Sequence, residues 1–365
     1  MRGQEAVKGS DRDNGTIQRG RSGPRGEGVT VAVVSVRDVA ERAGVSVGTV
    51  SNVMNHPAKV SEATIAKVQA AIDALGFIRN DAARQLRDGR STTIGLVVLD
   101  IRNPFFTDLA RGAEDAAAEA GLSLTLGNSD QSLEREATYL DLFEQQRVHG
   151  VLITPYTEIA TRLDRLRRRG IPAVLVDRTE PESSFSSVSV DDVVGGRLAA
   201  QHLLDTGRRR LAYVGGFGIR QSVDRHAGAR QAVDAVAGAV LESIQTTGLT
   251  VAAGREAGAS ILARSSAHRP DAIVAANDLL ALGLLQAFLG RGRGLRVPDD
   301  IAIVGYDDID FAAAAVVPLT SVRQPSALLG RTAVELLLAE ADDPGVEPRQ
   351  VEFQPELIVR ESTAG

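Results

Sequence analysis

Between residues 36 and 43 the apolar positions recur with the period of a helix. Val36, Val39, Ala40 and Ala43 follow i, i+3, i+4, i+7 spacing, which places them on one face of a short helix. Gly44, directly after this face, is a typical helix stop. The pattern therefore predicts a first helix that buries one of its sides.

Two more short helices are predicted before residue 77. Ser46 is a good N-cap for the second helix, which the segment 55–57 stops, and Ser61 opens the third. The predicted inner faces are Val50, Val53 and Met54 in the second helix, and Ile65, Val68, Ile72 and Leu75 in the third. Three short helices with a tight glycine-containing turn between the first two indicate a helix-turn-helix domain.

After residue 92, patterns of buried strands alternate with amphipathic helical patterns. The apolar runs are Ile94–Leu99, Leu122–Leu126, Val151–Ile153, Ala173–Val176, Leu211–Val214, Ala272–Ala275 and Ile301–Val304. Helical periodicity lies between most of them, for example over Phe105–Ala120, Ala199–Leu204 and Leu279–Leu289. This alternation predicts parallel sheets covered on both faces, the doubly wound α/β class. The region is longer than one such sheet needs, so we expect two lobes.

Charge and composition differ along the chain. Residues 1–28 are rich in Gly, Arg, Ser and Asp without apolar periodicity, which predicts a disordered extension. Residues 36–90 carry 8 Lys and Arg against 6 Asp and Glu, whereas residues 91–365 carry 27 against 37. A charge that favours a polyanion such as DNA is therefore confined to the N-terminal quarter.

Several kinds of site are missing from the sequence. The chain has no Cys, which excludes disulfides, thiolate metal sites and a Cys nucleophile. Its five His residues show no metal-ligand spacing, and the glycines of segment 215–218 lack the third glycine of the dinucleotide fingerprint. No apolar run approaches the roughly 20 residues of a membrane span, and no signal-peptide core is present. We expect a cytoplasmic protein without metal, cofactor or membrane partner.

One motif raises the possibility of an enzyme. Residues 44–48, Gly-Val-Ser-Val-Gly, match the G-x-S-x-G pattern of hydrolases. That motif requires a strand before the serine and a helix after it, but helices are predicted on both sides of Ser46. We therefore interpret Ser46 as a helix N-cap, and we predict no catalytic residues.

Polar residues stand directly after four of the predicted strands. They are Asp100 with Asn103, the pair 177–178, the pair 277–278 and the triplet 306–308. In open α/β sheets, ligands bind at the carboxyl ends of the strands, where these side chains would converge. The sequence therefore predicts a polar binding cleft.

The segment 36–55, VRDVAERAGVSVGTVSNVMN, resembles the N-terminal signature of the LacI/GalR repressors. Further matches are DIRNPFF at 100–106, ND at 277–278, VPDDI at 297–301, GYDD at 305–308, PLT at 318–320 and QP at 324–325. The resemblance, which runs from about 36 to 362, implies a repressor that binds a palindromic operator as a homodimer. It also implies a small-molecule effector, a sugar or sugar derivative. A solute-binding protein of a transport system shares the sensor fold and is the alternative, but the helices predicted over 36–86 argue against it.

The resemblance also implies a domain organisation. Residues 1–35 would be an extension, 36–79 the helix-turn-helix domain, 80–91 a hinge helix with its linker, and 92–365 a sensor and dimerisation domain. The sensor would have the two-lobed fold of periplasmic sugar-binding proteins. Lobe 1 would comprise about 92–190 and 323–350, and lobe 2 about 191–322 and 351–365. Whether the effector releases DNA or promotes its binding stays open.

DNA contacts are implied at Ser46, Val47, Thr49, Ser51, Asn52, Asn55, Leu86 and Arg87. Because Gly48 has no side chain to read a base edge, Asn52 is expected to carry much of the direct readout. Leu86 would wedge into the central base step from the minor groove, and Arg87 would contact phosphate.

Effector contacts are implied at Asn103, Phe105, Phe106, Thr154, Asp177, Arg225, Asp278 and Gln324. In this resemblance Arg225 grips the ligand, and Asp278 is the acidic partner for its hydroxyl groups. Phe105 and Phe106 form an aromatic or apolar wall.

Overall fold

The computed structural model describes residues 34–77, 91–178, 184–290 and 294–364. These residues belong to two compact units, one on each side of residue 80. Each unit has its own hydrophobic core, so the two are described separately.

The first unit is a bundle of three helices, α1 (Val36–Ala43), α2 (Val47–Asn55) and α3 (Glu62–Leu75). Ser35 and Asp38 form a capping box at the start of α1, and Gly44 ends it in the left-handed conformation with φ 65°. The Ser46 hydroxyl accepts the backbone N–H of Thr49 at 3.0 Å and so caps α2. The helix-turn-helix prediction is confirmed.

The core of this unit is made by the faces that the sequence predicted. Val39, Val50 and Val68, one from each helix, are fully buried at its centre. Ile65, Ile72 and other apolar residues pack around them.

The second unit contains two six-stranded sheets. Sheet A has the order β11-β5-β4-β3-β1-β2 and is parallel throughout; sheet B has the order β12-β10-β9-β8-β6-β7 and is parallel except for β12. The strands of sheet A are β1 (Thr93–Val98), β2 (Ser123–Asn128), β3 (Gly150–Ile153), β4 (Ala173–Val176), β5 (Ser187–Val190) and β11 (Gln350–Phe353). Those of sheet B are β6 (Arg210–Gly215), β7 (Val240–Gln245), β8 (Ala272–Ala275), β9 (Ala302–Asp307), β10 (Thr320–Arg323) and β12 (Glu356–Ile358). The predicted two-sheet α/β class is confirmed.

Helices accompany each sheet and complete the two lobes. Lobe 1 combines sheet A with α4 (Pro104–Glu119), α5 (Leu133–Gln146), α6 (Ala160–Arg168) and α12 (Ser326–Asp342). Lobe 2 combines sheet B with α7 (Asp192–Asp205), α8 (Arg220–Asp234), α9 (Val251–Leu262), α10 (Asp278–Phe288) and the short α11 (Asp310–Ala313). No helix within the described residues is both long enough and apolar enough to cross a membrane.

The chain passes between the lobes three times. The crossings follow Val190 and Arg323, and the third lies between β11 and β12. Because β11 belongs to sheet A, lobe 1 extends to Phe353.

Three helix pairs pack at unusually short range because glycine faces glycine. A Cβ on any of these glycines would lie 1.9 to 2.2 Å from a carbonyl oxygen of the partner helix. The pairs are Gly112 with Gly330 between α4 and α12, Gly196 with Gly228 between α7 and α8, and Gly254 with Gly283 between α9 and α10. These contacts set the distance between helices that carry cleft residues.

Candidate functional sites

The outer face of α2 presents most of the side chains expected to contact DNA. Ser46, Val47 and Asn52 are exposed, and Val47 keeps 46% of its surface open. Val50 and Val53 on the opposite side of α2 are buried in the three-helix core. The helix therefore divides into a packed face and an accessible face.

Contacts within α2 already occupy several of its polar groups. Ser46 bonds through its hydroxyl to that of Thr49 at 2.9 Å, and the Asn55 amide donates to the Ser51 hydroxyl at 3.1 Å. Thr49, Ser51 and Asn55 are half-buried. The hinge helix expected within 80–91, with Leu86 and Arg87, lies outside the described residues.

A cleft opens at the carboxyl ends of both sheets. Among the predicted residues, those that line it are Asn103, Phe105, Phe106, Asp177 and Arg225. Lobe 1 contributes the first four and lobe 2 contributes Arg225. The cleft is thus enclosed by residues that are more than 100 positions apart in sequence.

The start of α4 forms one wall of the cleft. The Asn103 side-chain oxygen caps α4 by accepting the Phe105 N–H at 3.2 Å, and Pro104 occupies the first turn. The rings of Phe105 and Phe106 meet edge to face with centroids 5.0 Å apart. The cap leaves the Asn103 amide group available, and it donates to Asp307 of lobe 2 at 2.8 Å.

Asp177 follows β4 and contributes a carboxylate from lobe 1. It has φ 55°, and one of its oxygens accepts from the Gln221 amide of lobe 2 at 2.9 Å. Its other oxygen, Oδ1, is buried without a hydrogen-bond partner among the described residues. Burial raises the pKa of Asp177 well above its ordinary value, and the charge of Asp192 raises it further.

Arg225 lies buried on α8 and is held from several sides. Its Nε donates to Asp192 at 2.7 Å and its Nη1 donates to the carbonyl of Ala276 at 2.7 Å. The guanidinium also lies 3.6 Å from the centroid of the Tyr306 ring and 3.6 Å from an oxygen of Asp307. Although burial opposes its charge, Asp192 and its other anionic neighbours hold the pKa of Arg225 above its usual range.

Carboxyl groups outnumber the cation around Arg225. Asp177, Asp192 and Asp307 are all buried near this one guanidinium, and burial raises the pKa of each carboxyl group. The cleft therefore offers hydrogen-bond acceptors, while its buried cation is already engaged.

Three predicted effector residues do not line the cleft. The carboxylate of Asp278 instead accepts the Ile309 N–H at 2.9 Å and the Ser321 hydroxyl at 2.7 Å. Thr154 is fully buried after β3, outside the lining. Gln324 donates its amide to Asp307 at 2.8 Å, so it contacts a cleft residue and not the cleft.

Four residues of the site were not predicted from the sequence: Gln221, Asn277, Asp192 and Asp307. Gln221, Asn277 and Asp307 line the cleft, and Asp192 bonds Arg225. Asn277 and Asp307 belong to the polar clusters that follow strands, a signal that could have found them. Gln221 and Asp192 lie in the first turns of α8 and α7. Asp192 comes two residues after β5, a strand that the apolar runs did not predict, and Gln221 lies six residues beyond β6.

No group of three or more His, Asp or Glu side chains within the part of the chain that the structure describes could hold a metal ion. The geometry of the cleft is instead that of a hydrogen-bonding site with an aromatic wall.

Comparison with known proteins matches two family models. Residues 28–80 match the bacterial regulatory proteins of the lacI family, and residues 200–363 match the periplasmic binding protein-like domain. The HTH-type transcriptional repressor PurR of Photobacterium profundum is 35% identical over 90% of this chain and 98% of its own. The ribose operon repressor of Escherichia coli K12 is 33% identical over 90% of this chain and all of its own.

A solved structure of the Lac repressor dimer, bound to operator and the anti-inducer ONPF, is also similar. It is 28% identical to this chain, covers 92% of it and 100% of its own, and superposes with a TM-score of 0.78. The similarity therefore extends over the helix-turn-helix unit and both lobes.

Proposed function

Because this chain belongs to the LacI family and is a DNA-binding transcription repressor controlled by a small molecule, we propose that its effector is a small neutral sugar bound in the cleft. As a homodimer it would bind a palindromic operator. The ligand would change DNA affinity to the extent that it prefers one arrangement of the lobes.

The placement of two carboxylates on opposite lobes carries this proposal. Asp177 from lobe 1 and Asp307 from lobe 2 both line the cleft, so one ligand with several hydroxyl groups could donate to both. Phe105 and Phe106 supply an apolar surface for the carbon face of a sugar ring. Such a ligand would stabilise the arrangement in which the two acceptors are close.

The charges lining the cleft favour a neutral ligand over a phosphorylated one. Arg225 is the one cation among the described residues that line it, and two of its donors already bond Asp192 and the carbonyl of Ala276. A phosphate there would lie beside buried carboxyl groups and would have to share Arg225 with Asp192 and Asp307. The similarity to a ribose operon repressor makes D-ribose the first sugar to test.

For DNA we propose that α2 enters the major groove with its accessible face. Asn52 would read a base edge, and the exposed Val47 would contact an apolar group such as a thymine methyl. The register of the helix on DNA would be fixed by Ser46, Thr49, Ser51 and Asn55. Arg87 would contact phosphate, and Leu86 would wedge into the central base step from the minor groove.

The proposed organisation keeps 36–79 as the DNA-binding domain, 80–91 as hinge and linker, and the following residues as the sensor. We place its action in the cytoplasm, because bacterial DNA lies there. We also propose that the cleft binds its ligand without catalysing a reaction, because the similar proteins PurR and the ribose operon repressor are repressors.

A mobility-shift assay on the DNA upstream of the gene tests these proposals together. We expect one specific complex, whose affinity changes with D-ribose and not with D-ribose 5-phosphate. Loss of the complex to random competitor DNA would contradict specific operator binding. A response to the sugar phosphate alone would contradict the neutral-sugar assignment while leaving the DNA-binding function intact.

A further inference from the structure

The turn after β9 holds two consecutive aspartates in the left-handed region of the backbone. Asp307 has φ 101° and Asp308 has φ 54°. Residues other than glycine rarely adopt such angles, and they keep them only where the surrounding structure fixes the chain. Asp307 is also the residue whose carboxylate meets Asn103, Gln324 and Arg225 in the cleft.

Asp278, buried at the start of α10, holds this turn in place. Its Oδ2 accepts the backbone N–H of Ile309 at 2.9 Å, and its Oδ1 accepts the hydroxyl of Ser321 at 2.7 Å. The Ser321 oxygen in turn accepts the backbone N–H of Asp308 at 3.1 Å. Two successive N–H groups of the turn are therefore tied, one directly and one through Ser321, to a single carboxylate.

The neighbouring strand is shaped to accept that carboxylate. A Cβ at Gly305 in β9 would lie 2.0 Å from Oδ1 of Asp278, so glycine leaves the space that the carboxylate occupies. Asn277, which precedes Asp278, caps α10 through its own side chain and lines the cleft. Of these two adjacent polar residues, one thus faces the ligand space and the other faces the turn.

We propose that Asp278 and Ser321 are positioning residues that fix the left-handed turn so that the carboxylate of Asp307 faces the cleft. They affect effector affinity through Asp307 and make no contact with the effector themselves. The proposal rests on the proposed function, because it takes Asp307 to be an effector contact.

Calorimetry with D-ribose on the full-length protein tests this dependence. Ser321→Ala removes one link of the chain, and we expect it to weaken ribose binding about five- to tenfold. Asp278→Asn should act in the same direction, and Asp307→Asn should weaken binding at least as much. If the effect runs through Asp307, adding Ser321→Ala to Asp307→Asn should change the affinity less than twofold.

Ser362→Ala is the matched control for lost stability. Ser362 is a buried serine of lobe 2 whose hydroxyl also makes two hydrogen bonds, to the backbone of Ile303 and of Thr320, the residue before Ser321, and neither bond involves residues 307–309. It should lower the melting temperature without changing ribose affinity. Equal loss of affinity in this control, or independent additive losses in the double variant, would overturn the positioning role.

A second measurement does not depend on ribose. In protein labelled with ¹⁵N-asparagine, the side-chain amide of Asn103 reports on Asp307, to which it donates, and is identified by its loss in Asn103→Ser. We expect its signal to move in Ser321→Ala and Asp307→Asn but not in Ser362→Ala. If wild-type protein fails to bind ribose, the sugar assignment fails, and this signal still decides the inference. An unmoved Asn103 signal in Ser321→Ala would refute it.

Discussion

Replacing Asn52 on α2 should show whether this side chain contacts a base or a phosphate. Replacing it with Ala should cost about 1 to 3 kcal/mol on the preferred operator and much less on random DNA, because a base contact carries sequence information. Titration of both DNAs in the same salt measures the difference. Arg87→Ala, expected at a phosphate, should weaken binding to every sequence alike; equal losses from Asn52→Ala would show that it does not read bases.

Asp177 should make stability depend on pH in a direction opposite to that of a salt-bridged carboxylate. Burial raises the pKa of Asp177 in the folded protein above its unfolded value. Below about pH 4 the carboxyl group is protonated in both states and does not change the free energy of unfolding. Above that pH the unfolded chain releases the proton more readily than the folded protein, so the free energy of unfolding falls. Asp177→Asn removes this penalty. We therefore expect the melting temperature of the variant to rise relative to wild type as the pH increases from 4 to 8.

Thermal unfolding across that pH range measures the effect. Asp234→Asn, which changes an exposed aspartate on α8, is the control and should show no comparable trend. A constant difference between Asp177→Asn and wild type at all pH values would mean that Asp177 stays ionised in the fold at little cost.

At the scale of elements, the close approach of α7 and α8 determines where Arg225 lies. A Cβ at Gly196 would meet the backbone oxygen of Arg225 at 1.9 Å, and a Cβ at Gly228 would meet that of Val193 at the same distance. The two helices can therefore pack at this distance only while both positions are glycine. Arg225 then reaches Asp192 on α7 and Ala276 after β8 from a fixed backbone.

Gly196→Ala should consequently affect both stability and the cleft. Forcing the helices apart should cost about 1 to 3 kcal/mol in the free energy of unfolding, as overpacking does in other cores. It should also weaken ribose binding, because Arg225 moves with α8. Gly216→Ala is the control, since a Cβ there would have its nearest neighbour at 3.6 Å. Urea unfolding and calorimetry on both variants show whether the losses of stability and ribose affinity come from the close helix contact at Gly196 or from replacing any glycine.

At the scale of the whole sensor, hydrogen bonds across the cleft hold the lobes together. Asn103 of lobe 1 donates to Asp307 of lobe 2, and Gln221 of lobe 2 donates to Asp177 of lobe 1. A sugar that bonds both aspartates would add to these links, and its binding would shift the population toward the closed arrangement.

Removing both donors should open the lobes. The double variant Asn103→Ala, Gln221→Ala loses two hydrogen bonds, each contributing on the order of 1 kcal/mol, so the ratio of closed to open molecules should fall about thirtyfold. Because the chain lacks Cys, two introduced cysteines at the exposed Glu134 and Arg255 allow specific dye labelling on opposite lobes. We expect lower energy transfer in the double variant and partial recovery with D-ribose; unchanged transfer would show that other contacts hold the lobes.

The helix-turn-helix unit could be predicted in detail from the sequence. Its helices are short and local, with glycine or serine at their ends, so apolar spacing alone identified the buried residues Val39, Val50 and Val68. Seven of the twelve described strands were equally legible as apolar runs, namely β1 to β4, β6, β8 and β9. Among the strands that were not predicted, the interior strands β5 and β10 are short and contain serine. Tertiary hydrogen bonds of Ser187 with Gln350 and of Ser321 with Asp278 make these polar residues acceptable inside a sheet.

By itself the sequence determined that polar residues would gather at strand ends, but the tertiary structure alone decided which of them face the ligand. In the adjacent pairs 277–278 and 307–308, one member lines the cleft and the other bonds elsewhere in the fold. The choice depends on the cap of α10, on the left-handed turn after β9, and on Ser321, which is 43 residues from Asp278. Side-chain direction at such turns is set by contacts made across the fold, whereas spacing along the chain fixes only the residues available there.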